Sequence, residues 1–246
     1  MRTVCEEIGV DISTNASVKN IIVDNSVAKG VILDDGSKIM SKKVISNLNP
    51  KLLFSNLINH DDVDKEYLRK ILNYKCGSGT FRMNVALSEL PNFNCLPGKE
   101  IAEHHKSGII IAPTLTYMDE AFTDAKKHGW SKNPIVEMLI PSTVDQSLAP
   151  KGKHVASLFC QQFAPKLPMN KSWHDEKTKA AETIIDTVNK YAPNFKKSII
   201  GSSILSPIDL EEKLGLLGGD IMHGVMTLDQ MWACLLYTSP SPRDAT

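Results

Sequence analysis

The residues with most chemistry to offer lie in one run, Gly215 to Gln230, which reads GLLGGDIMHGVMTLDQ. Asp220, His223, Asp229 and Gln230 alternate there with Ile221, Met222, Val225 and Met226, and four glycines fall within ten residues. Glycine opens backbone conformations closed to residues with a Cβ. Of the polar side chains, His223 is the strongest candidate for moving a proton, because imidazole titrates near working pH; a structural histidine bonded to a backbone carbonyl is the other reading. A surface turn has no need of the large apolar residues, and a core strand would not tolerate Gly218 beside Gly219. Two readings of the run therefore stand. One is a loop packed against something large, flat and partly polar; the other is a buried glycine-rich turn with a satisfied histidine. Thr227-Leu228-Asp229-Gln230 reads as a helix start, with capping as the role of Asp229. His104, His105 and His128 sit in polar stretches and read as surface residues, and Lys126-Lys127 reads as a solvated helix end that complements the helix dipole.

Metal and redox chemistry find no pattern here. Leaving aside the C-terminal tail, Cys5, Cys76, Cys95 and Cys160 are far apart with no C-x-x-C pair, which argues against a zinc site or a redox dithiol. Scattered single cysteines fit a reducing compartment, cytoplasm or mitochondrial matrix. Lys plus Arg and Asp plus Glu are balanced at 28 each, so nothing favours nucleic acid or an electrostatic membrane anchor as partner. No stretch approaches the length of a transmembrane helix, and no signal peptide follows Arg2. At 42% hydrophobic residues, the chain can bury a core.

The elements that must position the glycine-rich run read as α+β. Residues 10–47 form a β-meander, with strands over Val10–Ser13, Ser17–Val23, Val27–Leu33, Lys38–Met40 and Lys43–Ser46, and hairpin signals at Asp24-Asn25-Ser26 and Asp34-Asp35-Gly36. Pro50 forces Asn49 out of the helical region and marks a boundary. Helices follow over 51–57 and 61–74, the second with Val63, Tyr67, Leu68, Ile71 and Leu72 on one face. Phe81, Met83, Val85 and Leu87 alternate with polar or small residues as a half-buried strand. Further strands fall over 109–112, 135–140, 155–163 and 199–205, with a helix over 117–127. Ser172-Trp173-His174-Asp175 reads as a capping box opening a helix to Tyr191. Ser206-Pro207 opens a short helix, with proline at its favoured first position, that leads into the glycine-rich run.

Residues 234–246, CLLYTSPSPRDAT, match the translation of a sequencing-library adapter, with Ala233 at the junction. Residues 233–246 are therefore expected to lie outside the natural protein and are set aside, as a fusion scar would be. The natural chain is expected to continue past Trp232 and to begin before Met1.

The order of motifs carries more than any one of them. Ile12 to Ile21 (ISTNASVKNI), Ala28 to Gly36 (AKGVILDDG) and Val44 to Pro50 (VISNLNP) resemble the phytoene-dehydrogenase-like branch of FAD-dependent oxidoreductases, which belongs with the amine-oxidase and phytoene-desaturase flavoproteins. Pro134 to Pro141, Leu148-Ala149-Pro150, His154 to Phe159, Tyr191-Ala192-Pro193 and Gly218 to Gly224 extend the resemblance over nearly all of residues 8–232. It implies FAD as cofactor, with a partial FAD-binding domain over 1–50, an antiparallel-sheet substrate domain over 51–205, and a return segment to the FAD domain over 206–232. It puts Val18 against the adenine end of FAD and makes Asn47 to Pro50 the crossing back towards the cofactor; an ordinary strand valine and a simple Asx-Pro turn are the plainer readings. Gly218 and Gly219 are candidate cofactor contacts, and His223 is the candidate base for the partner proton, the cofactor carrying the hard chemistry. The substrate implied is a small apolar or amine compound that yields hydride from a C–H or C–N bond. A flavin-dependent isomerase and a non-catalytic interaction protein of the same fold are the alternatives. The N-terminal G-x-G-x-x-G turn that seats the FAD pyrophosphate is not in this sequence. Gly77-Ser78-Gly79 is no substitute, since no strand leads into it and no helix follows.

Overall fold

The computed structural model describes residues 1–77 and 79–230, so the expected adapter-derived residues 233–246 lie outside the described residues. Among the described residues the chain is α+β, with two antiparallel sheets and seven α-helices. The described residues divide into two compact units, Met1–Tyr74 with Thr227–Gln230, and Lys75–Met226.

The first unit opens with helix α1 (Arg2–Glu7) and builds a three-stranded sheet from β1 (Val18–Asp24), β2 (Val27–Leu33) and β3 (Lys38–Met40) in sequential order. Both hairpins fall where the turn residues put them. Asn25 and Ser26 take positive φ of 49° and 62°, and Gly36 takes 85°, as a tight turn between right-twisted strands requires. The outer strands expected at 10–13 and 43–46 do not form; both segments are coil, and no ladder pairs them among the described residues. An alternating pattern makes a strand only where a neighbour supplies hydrogen bonds. Asn49 Oδ1 accepts from the Lys51 amide at 2.9 Å and Pro50 is the first residue of α2 (Pro50–Leu52), which runs on as a wider turn to Leu57. Then α3 (Lys65–Leu72) follows, capped by Asp64.

The second unit is a five-stranded antiparallel sheet in the order β5-β6-β7-β4-β8. Its strands are β4 (Phe81–Leu87), β5 (Ile109–Ile111), β6 (Trp130–Leu139), β7 (His154–Phe163) and β8 (Ile199–Leu205). Helices α4 (Leu115–His128), α5 (Trp173–Tyr191), α6 (Phe195–Ser198) and α7 (Pro207–Leu214) lie between and after them. The alternation in β4 is realised as read: Phe81, Met83, Val85 and Leu87 are buried, while Arg82, Asn84 and Ala86 are not. With Val136, Met138, Ala156, Leu158 and Cys160 they form one core with Ala180, Ala181, Ile184 and Val188 of α5. Full burial of each large side chain contributes about 1.5–3 kcal/mol. An aromatic cluster of Phe81, Phe163, Trp130 and Trp173 closes one end, and the Trp173 indole donates to the Ala164 carbonyl at 2.9 Å. Strand β6 begins five residues earlier than its apolar run suggests, because its pairing with β7 skips an irregularity between Trp130 and Ile135, where Pro134 sits.

Two local expectations are corrected. Ser172 caps α5 through the His174 amide, without the reciprocal bond from Asp175; the full capping box is at α7, between Ser206 and Asp209. His105 is not a surface residue. It is 1% exposed, its Nδ1 accepts from the Ala102 amide at 3.1 Å, and its Nε2 lies 3.0 Å from the Pro91 carbonyl, so that nitrogen carries the proton. Among the described residues no helix is long and apolar enough to cross a membrane.

Candidate functional site

From Gly215 to Met226 the glycine-rich run is a tethered loop built on the second unit's own backbone. Helix α7 ends at Gly215, which takes the left-handed conformation a C-cap favours (φ 68°), and Gly218 and Gly219 repeat it at 67° and 64°. The Gly218 amide donates to Glu211 Oε2 at 2.9 Å. A Cβ on Gly218 would lie 3.1 Å from the Gly77 Cα, and one on Gly219 would lie 2.5 Å from the Pro207 carbonyl oxygen. These glycines therefore let three stretches of backbone meet. Asp220 fastens the loop: it is 1% exposed, Oδ2 accepts from the Gly77 amide at 2.8 Å, and Oδ1 accepts from the Met222 amide at 2.9 Å. The Val225 amide adds a bond to the Lys75 carbonyl at 3.0 Å. Beneath the loop, Asp209 Oδ2 accepts from the Ser206 hydroxyl at 2.6 Å and its Oδ1 from Lys177 and Lys213 at 3.1 and 3.2 Å. Burial pushes that carboxyl up, but the Ser206 hydroxyl and amide and the two lysines outweigh it and hold it well below the usual carboxylate range.

His223 stands at the outer end of this loop. Its backbone is left-handed (φ 61°), its side chain is exposed, and its amide approaches the Asp220 carbonyl at 3.4 Å. A non-glycine residue at positive φ is uncommon and worth a functional question. Thr227 to Gln230 make a turn closed by the Gln230 amide on the Thr227 carbonyl. Sequence reading picked out Asp220 as a polar residue of this loop but missed its role as the buried anchor, for which the cue was a carboxylate set directly behind two adjacent glycines.

In the first unit, Val18 and Asn47 line one cavity of about 480 Å³. Its apolar wall comes from Ile21 of β1, Val31 of β2, and Leu53 and Leu57 of the helical turn after Pro50; Ser46, Asn47 and Asn56 supply polar groups. Pro50 is not in the lining; it sets the turn that carries Leu52 and Leu53. Gly218, Gly219 and His223 belong to the second unit.

A second recess, of about 310 Å³, lies on the face of the five-stranded sheet away from α5, lined by Arg82, Glu137, Leu139, Ser157, Phe159 and Met222. Here the loop and the sheet meet within one unit. Among the described residues no cluster of three or more His, Cys, Asp or Glu could hold a metal.

No family model matches the chain. Pyridine nucleotide-disulfide oxidoreductase domain-containing protein 2 of Rattus norvegicus is 35% identical over 230 residues, 91% of this chain and 40% of that protein. Chloroplastic prolycopene isomerase of Daucus carota is 25% identical over 81% of this chain and 30% of that protein. The lycopene-forming phytoene desaturase of Pseudescherichia vulneris is 24% identical over 85% of this chain and 40% of that protein. In fold, an oxidoreductase from Methanosarcina mazei superposes with a TM-score of 0.57 at 19% identity, over 83% of this chain and 40% of that one. The chain thus spans 40% of the length of the rat protein. The resemblance read from the motifs is borne out: the chain is similar to the phytoene-desaturase-like oxidoreductases, with pyridine nucleotide-disulfide oxidoreductase domain-containing protein 2 among them.

Proposed function

We propose that this protein acts as an FAD-dependent oxidoreductase that takes hydride from an apolar or amine substrate. The observation that carries the proposal is the cavity shared by Val18 and Asn47, two residues that the family resemblance sets beside FAD and that are 29 positions apart. Its apolar wall and its serine and asparagine groups suit a flat heteroaromatic ring, with amides available to ring nitrogens and hydroxyls. The residues present fit the adenosine end of the cofactor: Val18, Ile21 and Val31 would face the ring, with Asn47 beside it. Pro50 acts through the helical turn it starts. The described residues hold no glycine-rich strand-to-helix turn for a pyrophosphate, so the fit stops at that end.

When bound, the flavin would supply the hydride acceptor. The chain's own contribution is orientation and proton handling. His223, exposed at the tip of a loop fastened by Asp220, is proposed as the base that takes the partner proton from the substrate. Gly218 and Gly219 shape the run that presents it, since neighbouring backbone closely approaches the Cβ position of the first and blocks that of the second. The likeness to a prolycopene isomerase supports a second reading, double-bond movement by reduced flavin without net oxidation.

The test is to express the whole open reading frame around these residues and record its visible absorption. Flavin bands near one per chain are expected, weakened in a Val18→Glu variant. A folded, colourless protein overturns the reading and favours a non-catalytic interaction role. Dependence of turnover on an added electron acceptor separates oxidation from isomerisation.

A further inference from the structure

The recess on the open sheet face contains two charges without counter-ions among the described residues. Register places Arg82 of β4 opposite Phe159 of β7, and Phe159 opposite Glu137 of β6. A cation, an aromatic ring and an anion thus stand in one row across three neighbouring strands. With strands about 4.8 Å apart, the two charged residues are about 10 Å apart at Cα. They do not pair with each other. The Arg82 guanidinium lies 5.4 Å from the centre of the Phe159 ring, and its Nη2 donates to Ser157 Oγ at 3.2 Å. It forms no ion pair among the described residues, although a guanidinium has five N–H groups to give. The Glu137 carboxylate, on an exposed residue of the ladder, has neither a hydrogen bond nor an ion pair among the described residues. Leu139, opposite Ser157 in the adjacent row, gives an apolar floor, and Met222 from the glycine-rich loop completes the lining.

Arg82 is half-buried and Glu137 exposed, so water reaches both, and two opposite charges on either side of a ring suit a ligand carrying both signs. We propose that this recess binds a small zwitterion with an apolar side chain, an α-amino acid of about leucine size. Its carboxylate is taken by Arg82, whose planar fork matches carboxylate geometry. Its ammonium group lies over Phe159 and against Glu137. Its side chain packs on Leu139 and Met222, the flexible thioether adapting to its shape. A volume of about 310 Å³ is at the small end for ligand pockets, which excludes a long polyene lying wholly within it. This deepens the oxidoreductase proposal by narrowing its amine substrate, and it rests on that reading for turnover; binding itself needs no cofactor.

The test uses the 246-residue chain and three probes that share one hydrocarbon tail: leucine, 4-methylpentanoate and 3-methylbutylamine. Binding is followed by backbone amide NMR shifts. Leucine is expected to bind at least tenfold more tightly than either singly charged analogue, with shifts centred on β4, β6 and β7. Arg82→Gln should weaken leucine at least tenfold and leave the amine unchanged; Glu137→Gln should weaken leucine and the amine and spare the carboxylate. Both side chains are on the open face, so unchanged spectral dispersion verifies that the variants fold. Equal affinity for the three probes, tighter binding of a singly charged one, or indifference to both substitutions overturns the proposal. Because no flavin enters this experiment, its failure is distinct from a colourless whole protein.

Discussion

Replacing Gly219 by alanine separates two costs that the glycine-rich loop combines. The first is conformational: at φ 64° a Cβ crowds the following carbonyl, at about 1–2 kcal/mol. The second is packing. The new Cβ would lie 2.5 Å from the Pro207 carbonyl oxygen and 2.6 Å from its Cα, and backbone atoms cannot rotate aside as a side chain would. The first turn of α7 must move, and overpacking of this kind costs about 1–3 kcal/mol. Gly215 is the internal control, at φ 68° with no atom within 4 Å of the same built Cβ. Gly219→Ala should therefore cost about 2–5 kcal/mol and Gly215→Ala about 1–2 kcal/mol. With a urea slope of about 2 kcal/mol per molar, the unfolding midpoints should fall by about 1–2.5 M and about 0.5–1 M. The assay is tryptophan fluorescence in a Trp232→Phe background, which leaves Trp130 and the buried Trp173 to report on the second unit. Equal midpoints for the two variants would refute the close approach to Pro207 and reopen these glycines to a purely ligand-facing role.

Two further outcomes follow from charge. His104 and His154 are both held below the ordinary imidazole value of 6.5, first by burial and then by the nearby His105. A depressed folded value means that the unfolded chain binds protons more readily. Stability should be full above about pH 6.5 and fall as the pH drops towards the folded values; urea midpoints between pH 7.5 and 5 measure it, and a His154→Gln variant should show a shallower fall. Asp209 also has a depressed folded value, so its stabilisation is present above its ordinary value of 3.8 and is lost as pH falls. Asp209→Asn should cost about 2–3 kcal/mol at pH 7 through weakened bonds from Ser206, Lys177 and Lys213; an unchanged thermal midpoint would count against that network.

Much of the architecture could be read from local pattern. The β4 alternation, the hairpin turns and the Pro207 helix start are properties of adjacent residues, and the structure realises them. What escaped depended on distant partners. Val10–Ser13 has the composition of a strand but no neighbour among the described residues. His105 looked exposed because its own neighbours are polar; Pro91, fourteen residues away, supplies the bond that accompanies its burial. The site divides in the same way. His223 and the two glycines drew notice by type and spacing, and the resemblance pointed to Val18 and Asn47. Asp220 is fixed by Gly77, 143 positions earlier, and the Arg82, Phe159 and Glu137 row exists only once β4, β7 and β6 are in register. A single sequence does not display pairings of that range.

The order β5-β6-β7-β4-β8 also bears on synthesis. Strand β4 leaves the ribosome before any strand that pairs with it: its two neighbours in the sheet are residues 154–163 and 199–205. While some seventy residues are added, Phe81, Met83, Val85 and Leu87 have no sheet to enter, and both hydrogen-bonding edges of that strand are open. Such non-local pairing slows folding and exposes edges to other chains. A nascent chain stopped before β7 would present an apolar strand that another copy can augment, and stopping after β7 would leave the β8 edge open. Yield of native protein should then depend on how quickly translation passes residue 205, and on holdase chaperones that cover β4 until it does.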